Sequence, residues 1–370
     1  MGAESTQPPS LERLGYSDRE RALFASLVEQ GFEPARVARV DRGLPLVASE
    51  RGLERAEPAI HLVKGADASM SRAVVGDWVA LARPDGHDMP IIEVILPRHG
   101  AFSRKDPGEE TGEQVLIANV DVVFVVQSLS GGGINVSRLE RELVMAWESG
   151  ARPVVVLTKS DLNDEFAEQL RIAEEIAFGV DVIIESAVTG TGVDEVRAQV
   201  PAGSTAALLG SSGVGKSTLL NRLIGEDVLA TADVRVGDDK GRHTTVAREI
   251  VTVPGGGVVI DTPGMRAIGL WDAEDGLAAA FPDIEGLAEH CRFRDCAHEE
   301  EPGCAVMAAV EAGTLVQRRL DSYRRLTTEL AEVGRKQDEK AWKAKEQANK
   351  VIAKAAKRYF REEPKGRSRG

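Results

Sequence analysis

The spacing of apolar and polar residues changes near residue 115 of the chain. Between residues 36 and 97 the apolar runs are short, and turn sequences such as DRG, VGD and RPDG separate them. This pattern predicts a small β-barrel, for which an OB-fold and an SH3-like barrel are both open. From Val115 onward, buried strands of four to eight residues alternate with amphipathic helices. That alternation predicts a doubly wound α/β sheet.

The same patterns divide the chain into six segments of different character. With 370 residues, of which 42% are hydrophobic, the chain has enough material for two or three domains with buried cores. The predicted segments are an N-terminal extension (1–35), an OB-like barrel (36–100), a charged linker (101–114), the α/β domain (115–272), a helical domain that contains every cysteine (273–334) and a basic helical tail (335–370).

Charge is distributed unevenly between the body of the protein and its C-terminal end. The formal net charge is −13, yet residues 335–369 carry 13 Lys or Arg against 5 Asp or Glu, and the remaining chain carries 33 basic and 54 acidic residues. A basic tail on an acidic body is typical of proteins with anionic partners, and a solvated helix is the alternative interpretation. No apolar run approaches the ~18 residues of a membrane span, and the chain does not start like a secretory signal. We therefore expect a cytoplasmic protein without a membrane partner.

A phosphate-binding loop lies between an apolar strand and a helix. The sequence GSSGVGKS matches the P-loop pattern at every fixed position and stands between AALL and TLLNRLIG. Its glycines let backbone N–H groups surround a phosphate, Lys216 reaches the β- and γ-phosphates, and the Ser217 hydroxyl binds magnesium. The nucleotide-binding residues predicted from this loop are Gly210, Ser211, Ser212, Gly213, Val214, Gly215, Lys216, Ser217 and Thr218.

Two short motifs upstream of the P-loop are typical of guanine recognition. Asp161 in TKSD follows an apolar strand, and its carboxylate can accept hydrogen bonds from guanine N1–H and N2–H₂, a pair that adenine does not offer. Lys159 would lie along the base, and Ser186 with Ala187 would place a backbone N–H at guanine O6. An Asp that caps a helix gives the same letters, but the two motifs together favour a guanine site that also includes Thr158.

The sequence DTPG ends the apolar run GGVVI downstream of the P-loop. There Asp261 would support the magnesium ion indirectly or through water, and the backbone N–H of Gly264 would approach the γ-phosphate. Many GTPases carry a water-orienting Gln directly after this motif. This chain has Met265 there, which cannot orient water, so we expect slow turnover by the isolated enzyme.

The polar loop between the P-loop and DTPG contains the sequence GRHTT. GTPases keep a mobile switch here, in which a threonine completes the magnesium coordination when the γ-phosphate is present. We expect Thr245 to do so, with Thr244 as the alternative. His243 is the nearest candidate for positioning the attacking water, and a solvated loop histidine is an equally good interpretation. The predicted catalytic residues are Lys216, His243 and Thr245.

All three cysteines fall within 14 residues and share this stretch with a histidine. An odd, clustered set of thiols does not suggest disulfides, whereas Cys₃His is a normal tetrahedral zinc set without an open position. Buried free thiols are the alternative, because the spacing differs from that of a standard zinc finger. The predicted ligands of a structural zinc ion are Cys291, Cys296, His298 and Cys304.

The motifs TKSD, SA, GSSGVGKST, GRHTT and DTPG follow one another in a permuted order, because the guanine motif precedes the P-loop. From about residue 36 to about residue 330 the chain closely resembles the ribosome small-subunit-dependent GTPase A family, also in the stretches IANVD, SRLERELVMAWESG and FPDIEGLAEHCRFRDCAHEEEPGCAV. The resemblance implies an OB-fold, a circularly permuted P-loop GTPase domain and a helical zinc-binding domain. The usual Asn of the guanine motif is Thr158 in this chain.

The resemblance also implies a function. It indicates a GTP hydrolase that acts in late maturation of the small (30S) ribosomal subunit and is stimulated by that subunit. The implied partners are the subunit with its rRNA, and GTP and GDP; the implied cofactors are Mg²⁺ with GTP and one Zn²⁺ per chain, and we expect a monomer. Two other functions stay open at this point: an RNA-binding assembly factor that uses GTP only as a switch, and a generic P-loop ATPase, against which the guanine motifs argue.

Overall fold

In the part of the chain that the structure describes, twelve strands form one continuous sheet that runs from the N-terminal part into the α/β part. The computed structural model describes residues 10–40, 44–64, 72–105, 113–163, 165–225, 248–261 and 273–335. The strands are β1 (Glu33–Val40), β2 (Leu46–Ser49), β3 (Gly52–Arg55), β4 (Glu57–Pro58), β5 (Trp78–Ala82), β6 (Ile91–Ile95), β7 (Ala101–Lys105), β8 (Glu113–Ala118), β9 (Val122–Ser128), β10 (Arg152–Thr158), β11 (Val182–Ile184), β12 (Thr205–Leu209), β13 (Arg248–Thr252) and β14 (Val258–Asp261).

The helices connect these strands and form the C-terminal part of the described chain. They are α1 (Asp18–Glu29), α2 (Ile60–Lys64), α3 (Val136–Glu148), α4 (Ala167–Ile176), α5 (Val193–Ala198), α6 (Lys216–Ile224), α7 (Glu274–Ala280), α8 (Pro282–Ala288), α9 (Ala305–Glu311) and α10 (317–335). Within the described ranges, none of these helices combines the length and the apolar character that a bilayer span requires. The basic tail lies outside the described residues, except for Arg335.

The first six strands form a small closed barrel. Strand β1 pairs with β2 along one side and with β5 along the other, and β2 pairs with β3. Only Ala56 separates β3 from β4, and β4 pairs in parallel with β6, which pairs with β5. The ring of strands therefore closes, with α2 between β4 and β5 along the chain. With β3 and β4 counted as one nearly continuous strand, five strands and this helix form an OB-like barrel, so the topology decides between the two barrels that the sequence leaves open.

The α/β part is the doubly wound sheet that the sequence predicts. Its strand order is β11-β10-β9-β12-β14-β13, and all neighbours are parallel except β13, which is antiparallel to β14. Helices α3 and α4 cover one face, and α5 and α6 cover the other. Strand β12, which leads into the P-loop, lies in the middle of the sheet although three strands of this part precede it in the chain. The fold is therefore circularly permuted, as the motif order predicts.

A hairpin of β7 and β8 occupies most of the segment between the barrel and the α/β sheet. Residues 101–114, which the sequence predicts as a charged linker, contain β7 and the start of β8, and the two strands pair antiparallel. Phe102 and Ile117 on this hairpin are buried in the core of the α/β part. The hairpin thus packs against the sheet in addition to connecting it to the barrel.

The C-terminal helical domain packs on α3. Glu140 accepts hydrogen bonds from Ser322 (2.5 Å) and Arg325 on α10. The next residue, Arg141, donates to both carboxylate oxygens of Glu329 (2.9 and 3.0 Å). Apolar residues of α7, α8, α9 and α10 belong to the same core as those of α3. Helix α3 therefore packs against the α/β sheet on one side and against the helical domain on the other.

The side chain of Arg36 on β1 is buried where the barrel, the N-terminal segment and the α/β sheet meet, and 1% of the residue is exposed. Burial lowers the pKa of Arg36 to about 10, so the group stays charged at neutral pH. The acceptors of its guanidinium are the carbonyl oxygens of Leu14, Gly76 (3.2 Å) and Asn119 (3.2 Å) and the hydroxyl of Thr205 (2.8 Å). These four acceptors connect three parts of the chain through one side chain.

Replacing Arg36 should destabilise the whole described structure. In Arg36→Met the four acceptors lose their donor, and we expect a loss of about 3–5 kcal/mol in the free energy of unfolding. Urea unfolding of purified protein measures this loss. Arg51→Met is the matched control, because Arg51 lies on the surface of the same barrel and pairs with Glu33 there. Equal stabilities of the two variants would contradict the role assigned to Arg36.

Candidate functional site

The P-loop connects β12 to α6 and has the backbone conformation that its glycines permit. Gly210, Gly213 and Gly215 have φ angles of +149°, +77° and +107°, which residues with side chains rarely adopt. A Cβ atom at Gly210 would lie 2.5 Å from the carbonyl oxygen of Val126 on β9. The loop therefore lies directly against the end of β9, and its N–H groups lead into the N-terminus of α6. This arrangement binds phosphate groups.

Lys216 is the first residue of α6, and its side chain lies over the P-loop. Its Nζ atom donates to the carbonyl oxygens of Gly210 (2.7 Å) and Ser211 (2.6 Å). Ser217 and Thr218 follow in the first turn and are exposed. The ammonium group and the two hydroxyl groups thus stand at the same end of the helix, where they can contact the phosphates and a magnesium ion.

Asp261 ends β14, the strand next to β12. The parallel register places Ala207 beside Ile260, so Asp261 lies at the same edge of the sheet as the P-loop. A carboxylate at this edge can hold water around a magnesium ion. The remaining predicted residues of the γ-phosphate region lie outside the described residues, and they are His243, Thr244, Thr245, Gly264 and Met265.

The first two residues of the guanine motif are attached to the P-loop. Thr158 ends β10 and is buried, and its hydroxyl proton is shared between the carbonyl oxygens of Gln127 (3.1 Å) and Val214. Lys159 adopts a left-handed conformation with a φ of +61°, and its Nζ donates to the carbonyl oxygen of Gly213 (2.6 Å). The guanine motif and the phosphate loop are therefore one hydrogen-bonded unit, although more than fifty residues separate them.

Asp161, the carboxylate predicted to select guanine, is held by Ser186 of the second predicted guanine motif. Strands β10 and β11 are parallel neighbours, so TKSD and Ser186–Ala187 end at the same edge. The buried hydroxyl of Ser186 donates to Asp161 Oδ1 (2.5 Å), and the backbone N–H of Thr189 donates to that hydroxyl (3.2 Å). Asp161 itself is exposed. The hydrogen bond from Ser186 thus orients the carboxylate of Asp161, which remains accessible to a base from the solvent side.

The sequence patterns did not predict three buried polar residues near the P-loop and the guanine motifs. They are Gln127, Glu142 and Glu185. Gln127, at the end of β9, donates to Glu142 Oε2 (2.6 Å) from its Nε2, and the carbonyl oxygen of the same Gln127 accepts from Thr158. Burial raises the pKa of Glu142 to about 7, while Gln127, Arg138 and Lys216 act against that rise. The sequence carried a signal only for Gln127, which directly follows the apolar run VVFVV of β9, whereas Glu142 stands next to the charged residues Glu140 and Arg141.

The four predicted metal ligands lie together between α8 and α9. Their ligand atoms all lie within 4.8 Å of one another. Sγ of Cys291 lies 3.8 Å from Sγ of Cys304, and Nδ1 of His298 lies 3.6 and 3.5 Å from these two sulfurs. A tetrahedral zinc site with Zn–S near 2.3 Å and Zn–N near 2.0 Å has edges of about 3.5–3.8 Å. The donor set, which also includes Cys296, therefore fits a metal ion.

The loop that carries His298 is held by its own carboxylate. Glu301 accepts hydrogen bonds from the backbone N–H groups of Ala297 (2.9 Å) and Glu299 (2.8 Å). His298 has a φ of +59°, and burial lowers its pKa, so its imidazole is neutral at pH 7. A neutral imidazole is the form that binds a metal ion.

Two family models match this chain. The model described as RsgA GTPase matches residues 95–271, and the model described as 50S ribosome-binding GTPase matches residues 205–341. The second match begins at Thr205, the first residue of β12. That start agrees with the permutation, because β12 is the strand that leads into the P-loop.

Similar proteins cover nearly the whole chain. The small ribosomal subunit biogenesis GTPase RsgA of Streptomyces avermitilis is 45% identical over 340 residues, which are 91% of this chain and 90% of that protein. The protein of the same name from Syntrophotalea carbinolica is 39% identical over 365 residues, which are 96% of this chain and 100% of that protein.

Two solved structures are similar in fold. The crystal structure of YjeQ from Thermotoga maritima has a TM-score of 0.61 and 28% identity, and covers 81% of this chain and 99% of that one. YloQ, described as a circularly permuted GTPase, has a TM-score of 0.60 and covers 81% of this chain and 96% of its own; at 24% identity it supports the fold alone.

Changing the specificity carboxylate should change the preferred base. Asp161→Asn replaces one acceptor by a donor that faces guanine N1–H, so GTP binding should weaken by about 2–4 kcal/mol and xanthine nucleotides should be favoured. Equilibrium binding of GTP and xanthosine triphosphate tests this expectation. Asp194→Asn is the control, since Asp194 is an exposed carboxylate on the adjacent helix α5. Unchanged GTP affinity in Asp161→Asn would refute the assignment.

Removing one thiol should remove the metal ion. We expect one bound metal ion per chain by elemental analysis, and Cys296→Ala should lose it and loosen residues 285–330 while nucleotide binding persists. Glu300→Ala is the control, because Glu300 is exposed in the same loop and is not one of the four ligands. Carefully prepared wild-type protein without metal would refute the site.

Proposed function

The chain belongs to the RsgA GTPase family, and we propose that this GTPase acts in late maturation of the small ribosomal subunit, which stimulates its turnover. The observation that carries the proposal is the joining of the guanine motif to the P-loop through Thr158 and Lys159. It makes one nucleotide site from two distant segments. The relatives named as small ribosomal subunit biogenesis GTPases, similar over about nine-tenths of the chain, supply the biological context.

In the proposed mechanism the protein positions GTP and stabilises charge. The P-loop amides and Lys216 would hold the β- and γ-phosphates, and Asp161 would select guanine. Magnesium would be held by Ser217 and Thr245, with Asp261 behind it, and would neutralise charge on the phosphates. The backbone N–H of Gly264 would approach the γ-phosphate when the switch is ordered.

Turnover should depend on a partner because the isolated chain lacks a water-orienting glutamine. Met265 stands at the position where that glutamine often lies. We propose that the ribosomal subunit orders the GRHTT loop, and that His243 then positions the attacking water. Such a residue acts mainly in the transition state, so its loss lowers turnover more than affinity.

The OB-like barrel and the helical domain are the proposed rRNA-binding modules of a cytoplasmic, monomeric enzyme. They attach to the α/β sheet through different elements, the barrel through β1 and β13 and the helical domain through α3. We propose that the metal ion of the helical domain is zinc with a structural role, because three thiolates and one imidazole leave no open position. The basic tail, outside the described residues, would add contacts to phosphate backbones.

Ribosomal subunits provide the test. Small subunits should raise the GTP turnover number by orders of magnitude, and large subunits should change it little. His243→Ala should lose most of this stimulation with nearly unchanged GTP affinity, whereas Lys216→Ala should weaken binding itself. Absence of stimulation by small subunits would refute the proposed partner. Full stimulation of His243→Ala would show that another group positions the water.

A further inference from the structure

Glu185 is a buried carboxyl group directly below the guanine-binding loop. It precedes Ser186, and 1% of the residue is exposed. Among the described residues, no group donates a hydrogen bond to its buried Oε1 atom. An unsatisfied buried oxygen of this kind costs folding free energy, so its presence beside a binding loop requires a reason.

The strand register places Glu185 beside Thr158. Leu157 on β10 is paired with Ile184 on β11, so the next residues of the two strands, Thr158 and Glu185, are neighbours on the same face. Both side chains are buried. Thr158, which departs from the usual guanine motif, and Glu185, whose Oε1 atom has no hydrogen-bond partner among the described residues, therefore lie side by side.

The change from Asn to Thr removes a hydrogen-bond donor from the floor of this pocket. An Asn amide offers two N–H groups, whereas the Thr158 hydroxyl offers one proton. That proton is already shared between the carbonyl oxygens of Gln127 and Val214. A carboxyl group in its neutral form carries an O–H donor, so a neutral Glu185 restores the number of donors.

The burial of Glu185 and the carboxylate beside it favour its neutral form. Burial, the largest effect, and the neighbouring carboxylate of Asp161 together raise the pKa of Glu185 to about 7. Arg222 on α6 acts in the opposite direction. On the remaining adjacent helix, α5, Asp194 and Arg197 pair with each other.

We propose that Glu185 is a positioning residue of the guanine pocket. The uncharged form of Glu185 supports Asp161, and the ionised form weakens guanine binding. The inference rests on the proposed guanine site. A bound base covers Asp161 and excludes water from its surroundings, so the repulsion between two carboxylates grows in the complex. The complex then holds the Glu185 proton more tightly than the free protein does. Nucleotide affinity should accordingly fall as the pH rises through 7.

The test compares the wild-type protein with Glu185→Gln, which is neutral at every pH and nearly the same size. GDP dissociation constants are measured from pH 6 to pH 8.5 at constant ionic strength. Titration of the nucleotide phosphates affects both proteins equally, so the ratio of the two constants isolates Glu185. We expect the wild-type affinity to weaken about tenfold more than that of the variant, which corresponds to one pKa unit of difference between free and bound states.

A second variant keeps the test decisive if Glu185→Gln folds poorly. Thr158→Asn returns the missing donor in the presence of Glu185, and the excess pH dependence should shrink there as well. Parallel pH profiles of the wild type and both variants would overturn the proposal while leaving the guanine site intact. A wild-type protein that binds no GDP at any pH would instead overturn the proposed nucleotide site itself.

Discussion

The buried guanidinium of Arg36 is the interaction on which the arrangement of the domains depends. A charge in the interior is tolerated only where acceptors surround it, and the acceptors here come from the N-terminal segment, the barrel and the α/β sheet. One of them, Thr205, begins the strand that leads into the P-loop. Strand β1 also pairs with β13 through Arg39 and Val40. The barrel is therefore fixed to the nucleotide-binding sheet by both backbone and side-chain hydrogen bonds.

Helix α3 has a corresponding role on the other side of the site. Its consecutive residues Glu140 and Arg141 bind α10, and the following Glu142 receives a hydrogen bond from Gln127 under the P-loop. The helical domain and the end of β9 therefore contact the same turn of α3. The chain then passes from β14 to α7 through residues 262–273, which begin with the TPG of DTPG.

The predicted guanine pocket combines a departure from a motif with a buried carboxyl group. The hydroxyl of Thr158 donates a hydrogen bond to the carbonyl oxygen of Val214 in the P-loop. It cannot supply a second donor, and the adjacent strand carries a buried carboxyl group, Glu185, at the neighbouring position. The two residues come from different strands, so neither motif by itself reveals that they are neighbours.

The sequence by itself determined the features that depend on local geometry. The P-loop glycines, the strand before them and the helix after them are contiguous, so their spacing was sufficient to predict the loop, and the motif order was sufficient to predict the permutation. The cysteine spacing indicated a metal site, while the choice between an OB-fold and an SH3-like barrel required the parallel pairing of β4 with β6. Only the tertiary structure showed that Arg36 meets Thr205 and that Glu185 lies beside Thr158. Such contacts join residues far apart in the chain, and their energies depend on burial and on donors supplied by other elements, which local patterns do not contain.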